Sequence, residues 1–533
     1  MTKTILLQNI KTPVTAPEEA LTIARKKLKK AGITPLSLTL AKRSVDARKR
    51  EDIVYISSVA AKVERLPDGG VMAALSAVAL EESRYEPSVG DLPMAYPPVV
   101  VGFGPAGMFA ALALAERGYA PLVLERGGSI DEREAAVKRF YRDKILDRES
   151  NIQFGAGGAG TFSDGKLVTR KNDPLCAYVL ERLVEFGAPE EILVNAKPHI
   201  GTDLLKRVVK NIAARIVALG GKILYHTAAR GFASLKNGVL VTTDNGEIAA
   251  GAVILAIGHS ARDTYETLYR DNHAMQPKAF SVGVRVEHLA EEIDTAMYGK
   301  FAGILPHAEY NLSYREGERG VYSFCMCPGG TVVAATSEEN AVVTNGMSIH
   351  ARDGRNSNAA IAVSVLPEDY GSDPMQAVAF QRRLERGAYS EAVLAGGKPY
   401  AAPMMTLGDF LQGRKGSQPT KVTPTYMETG YTALSDLTKI LPPFVSDMLK
   451  KGFAEFGRRI RGFDAPYALL TGVETRTSAP LRILRNEVCE SLTMPGLYPC
   501  GEGAGYAGGI TSAALDGLRV ASCVMGKAAP YHQ

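Results

Sequence analysis

The sequence predicts an α/β protein with three parts, and three observations lead to that prediction. A glycine-rich turn joins a short apolar strand to a helix at residues 99–107, VVVGFGPAG. A second glycine-rich segment, GLYPCGEGAGYAGGITSAALDGL at residues 496–518, has the same order of strand, turn and helix. Between them, residues 276–485 contain several strand patterns, at 280–287, 330–336 and 471–483. We therefore expect a Rossmann-type parallel sheet with a β-rich insert.

The first segment has every part of a dinucleotide-binding unit. Residues 99–101 predict a buried strand, and Gly102, Gly104 and Gly107 lie where a tight turn, close approach of a pyrophosphate and close helix packing each exclude a side chain. The helix predicted at residues 108–117 would direct its N-terminal N–H groups at the phosphates. A glycine-rich loop without a ligand is the alternative. The complete order of elements argues against it.

An acidic residue follows the next strand, which we predict at residues 121–124. Glu125 lies eighteen residues after Gly107, where a carboxylate can accept hydrogen bonds from the ribose hydroxyls of adenosine. A carboxylate repels a 2′-phosphate, which argues against NADP, although the adjacent Arg126 leaves that option open. This unit alone does not distinguish NAD from FAD.

The second segment favours FAD. A strand at residues 496–499 leads into Cys500 and Gly501, and the Gly508-Gly509 turn precedes a helix predicted at residues 510–520. A second helix N-terminus directed at the same ligand suits a molecule that has a flavin and a ribityl chain beyond its pyrophosphate.

Several motifs together resemble a family of bacterial FAD-dependent dehydrogenases within the flavoproteins of the glutathione-reductase type. The resemblance extends over nearly the whole chain, in residues 155–166 (GAGGAGTFSDGK), 197–203 (KPHIGTD), 280–288 (FSVGVRVEH), 326–336 (MCPGGTVVAAT) and 470–480 (LTGVETRTSAP). It implies a glutathione-reductase-like FAD-binding domain and an FAD-dependent oxidoreductase.

Two positions depart from the pattern of these flavoproteins. Their fold ends with a Gly-Asp pair whose acid contacts the ribityl chain, and here the pair is Gly501-Glu502, one methylene longer. The resemblance therefore implies a ribityl contact of changed geometry. Residues 254–258, ILAIG, resemble the strand ending in A-T-G that closes the FAD domain, with Ile257 in place of the usual Thr.

The chain divides at a proline-rich linker. Residues 87–98 contain four prolines. We expect residues 1–90 to form a ferredoxin-like α/β module, with strands at 4–10, 36–41 and 53–63 and a helix at 17–31. The FAD-binding domain is expected at 96–275, with a helix at 202–219 and a strand at 222–226, and again at 486–533. Residues 276–485 are expected to form an inserted substrate or cap domain with a helical region near 435–457.

The insert lacks a second G-x-G-x-x-G unit, so we expect no separate nicotinamide domain. NADH or NADPH would bind transiently over the flavin, or electrons would come from another donor, a protein included. A small organic molecule is the expected substrate.

Composition agrees with an ordinary globular enzyme. The chain has 533 residues, of which 46% are hydrophobic, and it contains no apolar run long enough to predict a transmembrane helix. The N-terminus lacks the apolar stretch and cleavage pattern of a signal peptide, so we expect a cytoplasmic location.

The six cysteines do not predict a disulfide framework in a chain of this length. One residue separates Cys325 from Cys327, unlike the spacing of a C-x-x-C motif, and packing is the expected role of both. Cys500 is expected to be a small residue in a tight turn, with a reactive thiol near the flavin as the alternative.

A basic loop distinguishes the N-terminal module, although the net charge of the chain is only +5. Residues 42–50 contain five basic side chains opposed by Asp46. A solvated hairpin tip is the favoured interpretation. Docking to RNA or to an acidic partner stays open, and the lack of interleaved aromatic residues argues against RNA.

Three residues are candidates for catalysis, each with a structural alternative. Lys166 could place a cation near flavin N1, or be a solvated loop lysine. Arg476 could hold a substrate carboxylate, or form a salt bridge at a domain interface. His259 could act as an acid or base, or form a hydrogen bond at a strand end.

The predicted function is hydride transfer between a small organic substrate and flavin. A flavoprotein that acts on RNA and a non-catalytic nucleotide-binding sensor are the alternatives. The predicted cofactor-binding residues are Gly102, Gly104, Pro105, Ala106, Gly107, Glu125, Arg126, Gly157, Gly158, Thr161, Lys166, Ala229, Ala256, Gly258, Gly501, Glu502, Gly508, Gly509 and Ile510. No metal site is predicted.

Overall fold

The computed structural model describes residues 2–80, 84–169 and 171–531. The N-terminal residues form the elements β1 (Lys3–Pro13), α1 (Glu19–Lys30), β2 (Ser37–Asp46), β3 (Val54–Val63), α2 (Gly69–Ala74) and β4 (Ala77–Leu80). Their antiparallel sheet has the order β2-β3-β1-β4, which is that of a ferredoxin-like unit. Helix α1 covers one face because Ala20, Ala24 and Leu28 recur at helical spacing and are buried.

The basic residues are distributed differently from the expectation. Lys42 and Arg43 lie within β2, because this strand resumes its pairing with β3 after a register shift between Leu40 and Lys42. Arg48 is paired with Asp46, and Arg50 donates a hydrogen bond to the carbonyl of Thr295. The loop itself is therefore shorter than residues 42–50.

The following residues form the main sheet and a small antiparallel sheet beside it. They contain β5 (Val99–Val101), α3 (Pro105–Glu116), β6 (Leu122–Leu124), α4 (Ile130–Asp143), α5 (Leu175–Glu185), α6 (Thr202–Ala218), β7 (Lys222–Leu224), β8 (Ala229–Leu235), β9 (Gly238–Thr243), β10 (Gly246–Ala250), β11 (Val253–Leu255) and α7 (Arg262–Arg270). Strands β8, β9 and β10 make the small antiparallel sheet.

The middle of the chain is richer in helices than its strand patterns indicated. It contains β12 (Met275–Pro277), β13 (Phe280–Leu289), α8 (Ala290–Tyr298), β14 (Ser313–Glu316), β15 (Arg319–Cys327), β16 (Thr331–Ala334), β17 (Thr344–Met347), β18 (Asn356–Val365), α9 (Pro367–Tyr370), α10 (Pro374–Leu394), β19 (Ala402–Thr406), α11 (Leu407–Gln412), β20 (Thr432–Leu434), α12 (Pro443–Arg459), β21 (Leu469–Glu474) and β22 (Leu481–Ile483).

Seven of these strands form one sheet in the order β14-β15-β18-β13-β21-β19-β20, packed against α10 and α12 through a shared apolar core. Helix α12 begins later than the expected helical region, because Pro442 is extended and Pro443 takes the first helical position. The strand pattern at residues 471–483 divides, since β21 ends at Glu474 and β22 pairs with β12 instead.

The chain then returns to the main sheet through β23 (Leu497–Pro499) and α13 (Ile510–Lys527). The completed sheet has the order β23-β11-β5-β6-β7, and all its pairs are parallel. The two glycine-rich segments therefore belong to one sheet, although they lie far apart in the sequence. Within the described ranges, no helix combines the length and apolar character needed to cross a membrane.

Candidate functional site

The glycine-rich segments and their associated acids meet at one edge of the parallel sheet. The turn after β5, Glu125 after β6, Gly258 after β11 and Gly501 after β23 all follow carboxyl ends of its strands. In open parallel sheets, ligands bind in the crevice beyond these ends.

The three glycines of the first turn have different surroundings. A Cβ atom on Gly102 would lie 2.4 Å from the carbonyl oxygen of Ala256, and one on Gly107 would lie 1.9 Å from the carbonyl oxygen of Gly102. Protein backbone therefore excludes a side chain at both positions. For a Cβ on Gly104, the nearest protein atom is the Cα of Gly158 at 3.6 Å. Gly104 thus faces the space that a close-lying phosphate requires.

Two helices begin at this crevice without a side-chain cap. Helix α3 follows Gly104 and helix α13 follows Gly509, so neither N-cap residue can satisfy the free N–H groups of the first turn. A Cβ on Gly160 would lie 3.1 Å from Ile510 Cγ1 and 3.8 Å from Pro105 Cγ. The two helix N-termini therefore meet on either side of Gly160. Uncapped N-termini attract anions such as a pyrophosphate.

Three further glycines border the same space. A Cβ on Gly258, Gly508 or Gly509 would meet no atom within 4 Å. Gly258 and Gly509 also have positive φ angles, of 73° and 93°, a conformation that favours glycine. Together with Gly104, they form a cradle of backbone that is free of side chains at the crevice.

Glu125 connects three loops of the site. Its Oε1 accepts hydrogen bonds from the backbone N–H groups of Gly127 and Gly155, and its Oε2 accepts one from Phe103. The side chain is 4% exposed. A carboxylate has about four acceptor positions, so capacity for one ribose hydroxyl is left. The ribose contact stays a prediction.

The sequence analysis missed Arg133, which positions the loop after Gly155. This fully buried guanidinium donates to five backbone carbonyls, those of Asn151, Ile152, Gly155, Ala156 and Gly158. Burial lowers the pKa of Arg133, and the nearby Glu125 raises it. No local sequence signal indicates this role, because its partners are backbone atoms from another segment.

Gly127 and Gly128 were also missed, although they follow Glu125 directly. A Cβ on Gly127 would lie 2.5 Å from the carbonyl oxygen of Glu149. The neighbouring Arg126 forms ion pairs with Glu149 and Asp263, and it stacks on Phe154. Its charge is therefore balanced within the protein, which weakens the case for a 2′-phosphate contact.

The other predicted cofactor contacts lie around the crevice. Gly157 has a φ of 84°, and a Cβ there would lie 2.0 Å from Thr161 Oγ1. Thr161 is buried, and Ala229 is the first residue of β8. Contact of these residues with a cofactor stays a prediction.

Glu502 lies beside the N-terminus of α13. The backbone N–H of Gly509 donates to its Oε2 at 3.4 Å. Burial raises the pKa of Glu502 to about 7, against the lowering effects of Gly509 and Lys278. Glu502 therefore titrates close to neutral pH.

Lys166 belongs to a cluster of charges rather than to open solvent. Its Nζ lies 2.8 Å from Asp164 Oδ2 and donates to the carbonyl oxygen of Met326, while Arg352 pairs with the same Asp164. Burial opposes the charged form, but the carboxylates of Asp164 and Glu309 raise the pKa of Lys166. A role as the electrostatic partner of flavin stays a prediction.

Arg476 and His259 lie in a second charged cluster. Arg476 and Arg262 both pair with Glu385, and all three side chains are buried. Arg476 thus forms a salt bridge, and its binding of a substrate stays a prediction. His259 Nδ1 lies 3.1 Å from Ser260 Oγ, and burial together with Arg476 and Arg262 lowers the pKa of His259 to about 3. The imidazole is therefore neutral at pH 7.

Cys500 is fully buried, and burial raises the pKa of its thiol. This environment favours the thiol over a reactive thiolate. Among the described residues, no group of His, Cys, Asp and Glu side chains could hold a metal ion.

Comparison with known proteins identifies the family. A protein of Clostridium beijerinckii, described as "Uncharacterized protein", is 46% identical over 506 residues, which are 92% of this chain and 92% of that protein. The chain belongs to the same family as this clostridial protein. Residues 279–477 also match the family described as "FAD-dependent protein, C-terminal domain-like". The matched residues contain all seven strands of the seven-stranded sheet, and the match supports FAD as the cofactor.

Solved structures show weaker similarity. Glycine oxidase from Geobacillus kaustophilus is 12% identical, with coverage of 82% of this chain and 96% of its own and a TM-score of 0.32. An L-amino acid deaminase from Proteus vulgaris is 14% identical, with coverages of 83% and 93% and a TM-score of 0.35. Lactococcus lactis thioredoxin reductase is 17% identical over 31% of this chain and 35% of its own, with a TM-score of 0.18.

Proposed function

We propose that the protein is an FAD-dependent oxidoreductase, a dehydrogenase or reductase that transfers hydride between a small organic substrate and flavin. The observation that carries the proposal is the meeting of two uncapped helix N-termini, α3 and α13, in a cradle of open glycines. The family match to an FAD-dependent protein supports the choice of FAD. Bound FAD would supply the group that accepts and releases hydride.

In this proposal, each part of the crevice holds a different part of the cofactor. Gly104 and the N-terminus of α3 bind the pyrophosphate, and Glu125 binds the adenosine ribose. Glu502 contacts the ribityl chain, and the N-terminus of α13 lies by the pyrimidine ring. The residues that form the FAD-binding domain are 96–275 and 486–533, and residues 276–485 cover the flavin and bind the substrate.

The first test is the cofactor content of the purified protein. The wild-type protein should have the visible spectrum of a flavin and release FAD on denaturation. Gly104→Val should lose most of the FAD, because the branched side chain would occupy the space left for phosphate. Gly69→Val, on an exposed glycine in α2 whose added Cβ would meet no atom within 4 Å, is the matched control and should keep its FAD.

Full FAD content in Gly104→Val would contradict the assignment of this turn. Anaerobic reduction of the wild-type protein with NADH and with NADPH in parallel then tests the electron donor. A flavin that no reductant can cycle would favour the non-catalytic alternative.

A further inference from the structure

Two cysteines lie together beside the loop that contains Lys166. Cys325 and Cys327 are near the end of β15, where pairing with β18 shifts register between Phe324 and Cys327. Cys325 has a φ of 45°, so the strand bulges at this point. Cys327 Sγ lies 3.4 Å from the carbonyl oxygen of Cys325 and donates a hydrogen bond to it. The bulge therefore brings two cysteine residues, separated by one residue, into contact.

The surroundings of the pair favour one thiolate. A hydrogen bond from Cys327 lowers the pKa of the Cys325 thiol to about 7, and the positive charges of Arg285 and Lys166 act in the same direction. Arg285 is fully buried and donates a hydrogen bond of 3.0 Å to the carbonyl oxygen of Cys325. The pKa of Cys327 is raised by the same contact. Cys325 is thus the thiol of the pair that loses its proton more readily, and Cys327 is the one that keeps it.

The pair is connected to the candidate flavin crevice by a short chain of contacts. Thr511, in the first turn of α13, donates a hydrogen bond of 2.7 Å to the carbonyl oxygen of Leu167. Lys166, the residue before Leu167, donates a hydrogen bond to the carbonyl oxygen of Met326, the residue between the two cysteines. Cys325 is also partly exposed, whereas Cys327 is buried.

We propose that Cys325 and Cys327 are a redox-active dithiol that exchanges two electrons with the bound flavin. The inference rests on the proposed function, because flavin is the electron partner. Oxidation forms a bond between the two Sγ atoms and releases two electrons and two protons, which oxidised flavin accepts. In the reverse direction, reduced flavin returns the electrons and the disulfide opens. Substrates of this pair are disulfides, which the reduced Cys325 thiolate attacks, or thiols, which attack the oxidised pair and open its disulfide.

Anaerobic reductive titration of the FAD-loaded protein tests the pair. Air-oxidised wild-type protein should take up four electrons per FAD, two for flavin and two for the disulfide. Cys325→Ser and Cys327→Ser should each keep FAD and take up two. Cys489 and Cys523 are a second pair of neighbouring thiols, so Cys523→Ser is the matched control and should still take up four.

A second measurement does not depend on flavin. After treatment with oxidised dithiothreitol, the peptide with residues 325 and 327 should resist alkylation and gain two labels only after reduction. Two electrons per FAD in the wild-type protein, or ready alkylation of both cysteines after oxidation, would overturn the inference while leaving the proposed function intact. A protein that binds no FAD but forms this disulfide would instead contradict the proposed function.

Discussion

Replacing Glu125 by Gln tests how the acid after β6 supports the site. The carboxylate accepts three backbone hydrogen bonds, two at Oε1 from Gly127 and Gly155 and one at Oε2 from Phe103. A Gln side chain in the same orientation keeps an oxygen for the first two donors but directs an NH2 group at the Phe103 N–H. One charge-assisted bond is lost and a buried donor is left without an acceptor, which costs about 1–3 kcal/mol.

Urea unfolding of the FAD-free protein measures this cost, and FAD affinity is measured separately. We expect the free energy of unfolding to fall by about 1–3 kcal/mol, because the three loops lose part of their connection. Glu125→Ala should have a larger effect, since all three N–H groups lose their acceptor, and it should also weaken FAD binding on the order of 1–3 kcal/mol through the ribose contact.

Glu149→Gln is the matched control, because Glu149 is a partly exposed carboxylate paired with Arg126 and Arg230. It should change stability by no more than about 1 kcal/mol. Unchanged stability and FAD affinity in both Glu125 variants would refute the reasoning from these hydrogen bonds.

Two further predictions concern ionisable groups of the candidate site. Lys166→Met should lower the flavin midpoint potential, by about 30 mV for each 1.4 kcal/mol of lost stabilisation of the reduced anion. The measurement is a redox titration of both proteins at equal FAD content. No shift would assign the stabilisation of the reduced anion to the N-terminus of α13 instead. The pKa of Glu502, raised to about 7, means that the folded protein holds a proton that the unfolded chain releases above about pH 4.5. Glu502→Gln should therefore gain stability relative to wild type as the pH rises from about 4.5 to 7, by about 3 kcal/mol in total. A constant difference across urea titrations in this range would contradict the burial of the acid.

Local patterns were sufficient for the elements around the crevice. The apolar run at Val99–Val101 and the glycines after it predicted a strand, turn and helix, and Pro105 begins α3 as the first helical residue. The expected helix at residues 202–219 corresponds to α6, Thr202–Ala218. Helix α10 was not anticipated, because its buried face contains polar as well as apolar residues. Gln381 and Glu385 are buried there and form hydrogen bonds, so the helical period of hydrophobic residues is interrupted.

By itself, the sequence determined the dinucleotide-binding pattern of this protein, because glycine spacing and strand period are local properties of the chain. The tertiary structure alone decided which charges are free. Each of three predicted site cations forms an ion pair within the protein. Lys166 pairs with Asp164 across a turn and with the distant Glu309. Arg126 pairs with Asp263, and Arg476 pairs with Glu385. The tertiary structure also decided the burial of Arg133, because the carbonyl groups around it come from another segment. It likewise decided the contact between Cys325 and Cys327, because the strand bulge depends on pairing with β18.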